Sequence, residues 1–266
     1  MPCRIVFCDV DGTLLSSRHE VLPGTVLAAG ALKARGIPLV IVSARSPRGI
    51  RPIQREYGLE GPVAAYSGAL VFDTDGSVIS SVTFPLREAL AVVRFLEAHP
   101  LKSVWNLFSG ESWYVSAPSD PHVRAEEDIV KTFAERYAPG VLPEGAGVHK
   151  ILVMCGKQDT AVIERDIRSA FPLLNVCRSS DVLIEIMAGG AGKDTAVRAL
   201  CGRYGIPPDE AAAFGDQFND ADMLRAVGMP VVMGNAPEAM KAEFPFVTED
   251  NDSEGIYSAL KKLGVI

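Results

Sequence analysis

The sequence predicts an α/β protein: a three-layer parallel-sheet core interrupted by an inserted α+β domain. Three observations carry this. Short apolar runs alternate with longer amphipathic stretches at both ends of the chain. The rhythm changes between residues 83 and 188, where paired strands replace the alternation. Both tryptophans, Trp105 and Trp113, fall in that middle stretch.

The elements follow in order. Arg4–Cys8 is an unbroken apolar run after its first residue, as expected of a strand buried on both faces. Pro23–Arg35 reads as a helix, with Pro at its start and Gly36 just past its end. Ile37–Val42 is a second buried strand and Pro47–Tyr57 a second helix. Val63–Tyr66 and Ala69–Phe72 read as two short strands around Ser67-Gly68. Strand, helix, strand is the βαβ unit of a parallel sheet. The same grammar returns late in the chain. A helix Lys193–Tyr204 precedes a strand Ala211–Phe214, a short helix and the strand Val231–Met233. Phe246–Thr248 and a last helix Gly255–Leu263 follow. The middle reads as helix Leu86–Ala98, strands Val104–Phe108 and Trp113–Ser116, and helix Pro121–Tyr137. It continues with strand Lys150–Cys155, helix Thr160–Ala170 and a hairpin of Val176–Ser179 with Val182–Met187. The predicted domains are therefore a Rossmann-like core, 1–82 with 189–266, and an inserted domain, 83–188.

Composition excludes several function classes. The chain has 266 residues, 48% hydrophobic and 22% charged, the profile of a cored globular protein. Its 33 acids against 26 bases give a net charge of −7. Nucleic acid and anionic membrane surfaces call for a basic face, so neither is an expected partner. No stretch approaches the roughly 18–20 consecutive apolar residues that span a bilayer. The first residues carry no signal-peptide pattern, and the five scattered cysteines suit a reducing cytoplasm. No feature specifies an oligomeric state.

Four features could carry chemistry, and each has a plainer explanation alone. Asp9-Val10-Asp11-Gly12-Thr13 follows the first strand, where open parallel sheets bind ligands. Two carboxylates so close repel unless a cation or proton lies between them; alternatively they form a polar turn. A calcium loop starting at Asp9 fails, because Leu14 would occupy its required glycine position. Ser43 ends the second strand and offers a hydroxyl to an anion, or caps the next helix. Gly189–Thr195 is no P-loop: Met187 stands where its first glycine belongs, and Asp194 follows Lys193. Lys193 at a helix start opposes the helix dipole, so it is either exposed or facing an anion. Last, Asp216, Asn219, Asp220 and Asp222 follow the strand Ala211–Phe214, a place where acids also favour a helix N-terminus.

Together, in this order, these residues resemble the haloacid dehalogenase (HAD) superfamily, with its DxDGT motif, Ser/Thr after the second strand, Lys, and GDxxND. More narrowly the chain resembles the Cof-type sugar-phosphatase branch. Its cap lies between the second and third motifs, Tyr66–Ala69 resembles its NGA turn, and Val232–Ala236 its MGNA segment. Two motifs depart from the usual form, Ser-Ala-Arg for Thr-Gly-Arg and Gly-Lys-Asp for Ser-Lys-Gly, yet the hydroxyl and the amine remain.

The resemblance implies a Mg²⁺-dependent phosphatase acting on a small phosphorylated metabolite, such as a sugar phosphate, through an aspartyl phosphate. Asp9 would be nucleophile and metal ligand, Asp216 a second ligand, and Asp11 a ligand through its carbonyl and the acid–base through its side chain. Phosphate would be held by the backbone at Val10 and by Ser43, Lys193 and Asn219, with Asp220 supporting. Arg45 and the Arg48/Arg51/Arg55 stripe read as solvated helix surface. The inserted domain would act as a cap that chooses the leaving group, with Trp105, Trp113, Tyr114 and His122 as lining candidates. Phosphoryl transfer to a second sugar, as in phosphomutases, is the enzymatic alternative. A receiver-like signalling module is the non-enzymatic one, and the chain is about twice too long for it.

Overall fold

A computed structural model describes residues 2–266. They divide into two compact units, the chain up to Ser80 with Gly192–Ile266, and Ser81–Ala191. The divisions expected from sequence were 82/83 and 188/189.

The first unit is built on seven strands: β1 (Ile5–Asp9), β2 (Leu39–Val42), β3 (Val63–Ala65), β4 (Leu70–Phe72), β5 (Val78–Ser81), β6 (Ala211–Gly215) and β7 (Met229–Val232). Their order is β7-β6-β1-β2-β3-β4-β5. The five from β7 to β3 run parallel, and β4 turns back antiparallel to β3. The chain leaves β1 toward β2 on one side and later returns to β6 on the other. The crevice at the carboxyl ends of β1 and β6 is therefore a topological switch point, where α/β sheets bind ligands.

Burial explains the apolar runs. Alternate residues Ile5 and Phe7 pack with Val40, Val42 and Ala213 against Val197 and Leu200 of the helix Lys193–Tyr204. The intervening Val6, Cys8 and Ile41 point to the opposite face and are equally buried. The helix boundaries follow local chemistry. Pro23 and Pro47 open their helices, Ser46 Oγ accepts the Gly49 N–H at 3.3 Å, and Gly58 closes the second helix at φ 66°. The expected strand Phe246–Thr248 reduces to a single bridge between Val247 and Val232.

The second unit holds a six-stranded sheet in the order Leu174–Ser180, Leu183–Ala188, Lys150–Cys155, Ser103–Ser109, Ser112–Val115 and Glu135–Arg136. All pairings are antiparallel except the last. Trp105, Tyr114, Ile151 and Ile186 join residues of the helices Leu86–Ala98 and Thr160–Ala170 in one apolar cluster. Trp105 and Tyr114 are thus core residues of this unit. Trp113 lies on the other face, its Nε1–H donating to Asn106 Oδ1 at 3.0 Å, and His122 is exposed beside Asp120.

One helix is shorter than expected. Pro121–Val130 stops at Lys131, which adopts the left-handed region at φ 54°. The buried Glu127 carboxylate accepts the Ala134 N–H at 2.8 Å and folds the chain back. Glu135–Arg136 then pairs with Ser112–Val115 instead of continuing the helix. Among the described residues, no helix is long and apolar enough to cross a membrane.

His149 gives this unit a pH dependence. Its ring is buried; Gly110 N–H donates to Nδ1 at 3.1 Å, and Nε2 meets Ser81 Oγ at 3.1 Å. Burial lowers its pKa to about 4, and a proton on Nδ1 would face an N–H donor. The unfolded chain therefore binds a proton near pH 6.5 that the folded chain refuses until about pH 4. Stability is complete above that window and falls as pH drops through it, by up to ~3 kcal/mol. Denaturant unfolding of wild type and His149→Gln between pH 7 and 4 checks this. The variant should lose less stability on acidification; an unchanged difference at every pH refutes it.

Candidate active site

The carboxyl end of β1 delivers Asp9, that of β2 Ser43, and that of β6 Asp216, while the helix Lys193–Tyr204 opens on Lys193. Lys193 is 2% exposed, and its Nζ donates to Asp9 Oδ1 and to Asp220 Oδ1, each at 2.5 Å. Asp220 is fully buried, and its other oxygen accepts the Asp216 and Gln217 N–H groups, both at 3.0 Å. Asp216 accepts Thr13 Oγ1 at 2.9 Å and Gln217 Nε2 at 3.1 Å. Asn235 Nδ2 donates to the Gly12 carbonyl at 2.8 Å and reaches Asp216 at 3.4 Å. The close approach explains Gly12. It sits at φ +83°, and a Cβ there would lie 2.5 Å from the Asp216 carboxylate.

Three carboxylates around one ammonium leave a local excess of two negative charges in a buried place. Burial raises the Asp9 carboxyl well above the ordinary range, and the Asp220 and Asp216 charges add to this against Lys193. Asp216 is pushed up to about 6 by burial and by Asp220. Burial would lower the Lys193 amine, but Asp220 and Asp9 outweigh it and hold the pKa above its usual value. Ligand oxygens of Asp9, Asp216 and Asp220 lie within 4.8 Å of one another. Hard oxygen donors with surplus charge suit Mg²⁺. The hydrogen bonds separate their roles. Both Asp220 oxygens are committed to protein donors, whereas Asp9 Oδ2 accepts none among the described residues. Asp9 therefore offers a cation an uncommitted oxygen, Asp216 stands beside it with its oxygens accepting only neutral side-chain donors, and Asp220, tied to the ammonium and two backbone N–H groups, organises Lys193 and the β6 loop.

The remaining expected residues divide. Ser43 is buried; its Oγ accepts the Arg45 N–H at 3.1 Å, while Ser46 caps the following helix, so the Ser43 hydroxyl proton is free of that task. Val10 is buried, and its carbonyl accepts the Thr13 and Leu15 N–H groups, so it can serve a ligand only through its N–H. Asn219 is exposed, and its side chain bonds to no described residue. Asp11 stands apart from the other acids. Its side chain is half exposed and grips Arg45, with Nε–Oδ2 at 2.8 Å and a terminal nitrogen–Oδ1 at 2.5 Å. Arg45 corrects the sequence reading: its side chain is only 8% exposed. Arg48 and Arg55 are exposed as expected. Thr13, Gln217 and Asn235 were also missed as supports of the site. Thr13 and Asn235 lie within segments quoted for the resemblance, which was the available signal.

A family model described as haloacid dehalogenase-like hydrolase matches residues 6–260. The chain belongs to this family. The haloacid dehalogenase-like hydrolase described here is 34% identical to a putative phosphatase of Haemophilus influenzae over 98% of both chains. It is 26% identical to the pyridoxal phosphate phosphatase of Escherichia coli, over 96% of this chain and 97% of that one. Among solved structures, a phosphatase of the haloalkanoate (HAD) enzyme superfamily from Bacteroides thetaiotaomicron superposes with a TM-score of 0.83 at 27% identity, covering 100% of this hydrolase and 96% of that chain.

Proposed function

We propose that this hydrolase is a Mg²⁺-dependent phosphatase of small phosphorylated metabolites, sugar phosphates or related monoesters, working through an aspartyl phosphate on Asp9. The observation that carries this is the split of the Asp9 carboxylate. Lys193 fixes one oxygen at 2.5 Å, and the other accepts no hydrogen bond from any described residue. A pinned carboxylate with one free oxygen at a ligand-binding strand end is a pre-oriented nucleophile. Bound at Asp9 and Asp216, Mg²⁺ would supply charge neutralisation between carboxylate and phosphate dianion.

The chain's own groups account for the rest. Asp9 attacks phosphorus, and Asp11 protonates the departing alkoxide. Lys193 spends two of its three N–H bonds on Asp9 and Asp220, leaving one for a phosphoryl oxygen. Ser43 Oγ–H, the Val10 N–H and the exposed Asn219 amide are further donors. Asp11 then takes a proton from the water that releases phosphate. These groups address only the phosphate, so leaving-group choice is assigned to the Ser81–Ala191 unit as a cap. The −7 net charge supports small-molecule partners over nucleic acid or membranes, and the five free cysteines support a cytoplasmic location. The Escherichia coli relative, named for pyridoxal phosphate, supports a monoester of a small metabolite.

Hydrolysis of p-nitrophenyl phosphate tests the proposal. Chelation with EDTA should abolish turnover and added Mg²⁺ restore it, after which a panel of sugar phosphates should reveal preferred substrates. Full turnover in EDTA overturns the mechanism.

A further inference from the structure

The Asp11–Arg45 pair is built unlike a surface salt bridge. In an exposed pair both side chains move, and the net stabilisation is small. Here the arginine side chain is 8% exposed while the aspartate is 50% exposed. The arginine is immobilised first. Its N–H donates to Ser43 Oγ at 3.1 Å, and its carbonyl accepts the Tyr66 N–H at 3.0 Å. Ser67 N–H meets the Ser43 carbonyl at 2.8 Å. Tyr66 and Ser67 both occupy the left-handed region, at φ 51° and 52°, a costly conformation for residues with a Cβ. Backbone strain is thus held where it fixes the loop that aims Arg45. The fork then takes both oxygens of a carboxylate that its own loop leaves half exposed. Bidentate geometry sets the plane of the carboxylate as well as its distance.

We propose that Arg45 is the positioning residue that holds Asp11 as a base for the water-dependent half of the reaction. This rests on the phosphatase reading above. The two-point grip fixes where the Asp11 carboxylate oxygens stand when a water proton is handed to them. In the step concerned, a water oxygen bonds to phosphorus and the bond from Asp9 Oδ to phosphorus breaks. Its electron pair returns to the Asp9 carboxylate, one water proton passes to Asp11, and inorganic phosphate leaves. Formation of the phosphoenzyme from an ester whose leaving group departs unprotonated needs no such orientation. The two halves should therefore respond differently to loss of the fork.

Rapid mixing of the Mg²⁺-loaded full chain with p-nitrophenyl phosphate separates them, because p-nitrophenolate leaves without a proton. Arg45→Met should keep a burst of about one p-nitrophenolate per site at a near wild-type rate. Its later steady rate should fall on the order of 10- to 100-fold, the range of a weakened acid–base. Acid quench should show phosphoenzyme accumulating. Arg45→Lys, which retains charge without the fork, should fall between, and circular dichroism should show each variant folded. Combining Arg45→Met with Asp11→Asn should slow turnover no further than Asp11→Asn alone, as for two residues acting in one step. Loss of the burst together with steady turnover in Arg45→Met, or additivity with Asp11→Asn, overturns the proposal. Turnover without trapped phosphoenzyme in every protein, wild type included, overturns the aspartyl-phosphate reading itself and so is told apart from a failure of Arg45 alone.

Discussion

Asp9→Asn is expected to abolish turnover, by on the order of 10⁴-fold or more, while making the metal-free protein melt higher than wild type. The first half follows from the loss of the nucleophile, the group whose removal is costliest in covalent catalysis. The second follows from the electrostatics. Burial, Asp220 and Asp216 together raise the Asp9 carboxyl far above the ordinary range, so the folded state disfavours its charge. An amide of nearly the same shape removes that charge from a buried cluster of three acids and one amine. Lys193 keeps Asp220, its partner at 2.5 Å, so no ammonium is orphaned. For a chain of this size each kcal/mol relieved raises the midpoint by roughly 2–4 °C. Thermal melts in EDTA and Mg²⁺ check both halves at once: the variant should start higher and gain less from Mg²⁺. A folded Asp9→Asn protein with wild-type turnover would sink the nucleophile assignment. A lower melt in EDTA would sink the account of the charge cluster.

How much of this was legible beforehand depends on whether the cause was local. Asp9 and Asp216 could be read because each follows an apolar run that only a strand buried on both faces would use, and parallel sheets bind ligands at such ends. The helices opened by Pro47 and Lys193 were placed with their observed ends, since Pro at a start and Gly past an end are local signals. Arg45 was misread for the opposite reason. Its spacing aligns it with Arg48, Arg51 and Arg55, but it precedes the cap Ser46, so the loop rather than the helix aims it. That loop is fixed by N–H groups of Tyr66 and Ser67, some twenty residues on. Asn235 meets Gly12 across most of the chain, a contact that no short window contains. Lys131 could not be foreseen either. Nothing about a lysine announces a left-handed residue, so the helix from Pro121 was run on through Glu135–Arg136, which pair as an edge strand.

Lys193→Met should be the most destabilising single change at this site, and its cost should grow with pH. The buried ammonium faces Asp9 and Asp220 at 2.5 Å, with Asp216 in the same cluster. Removing one member of a buried ion set leaves uncompensated charge and typically costs ~3–5 kcal/mol. The carboxylates can escape that cost only by taking up protons. Asp216 is already held at about 6 and Asp9 is raised even with the ammonium present, so without it both rise further. The folded variant then binds more protons than the unfolded chain through the range above ordinary carboxylate values. A state that binds more protons is favoured by acid, so stability declines as pH rises through that range. Wild type shares this slope in weaker form, and the difference between the two should therefore be larger at pH 8 than at pH 5. Mg²⁺ should recover part of it, since a cation at Asp9 and Asp216 replaces the lost positive charge. Turnover should stay on the order of 10²- to 10³-fold down even when Mg²⁺ restores the fold, the usual cost of one missing donor to an oxyanion. Denaturant unfolding across pH, with and without Mg²⁺, reads each of these. A loss that is the same at pH 5 and pH 8 would mean that Lys193 contributes packing rather than charge, and the view of the site as an acid cluster awaiting a cation would fall with it.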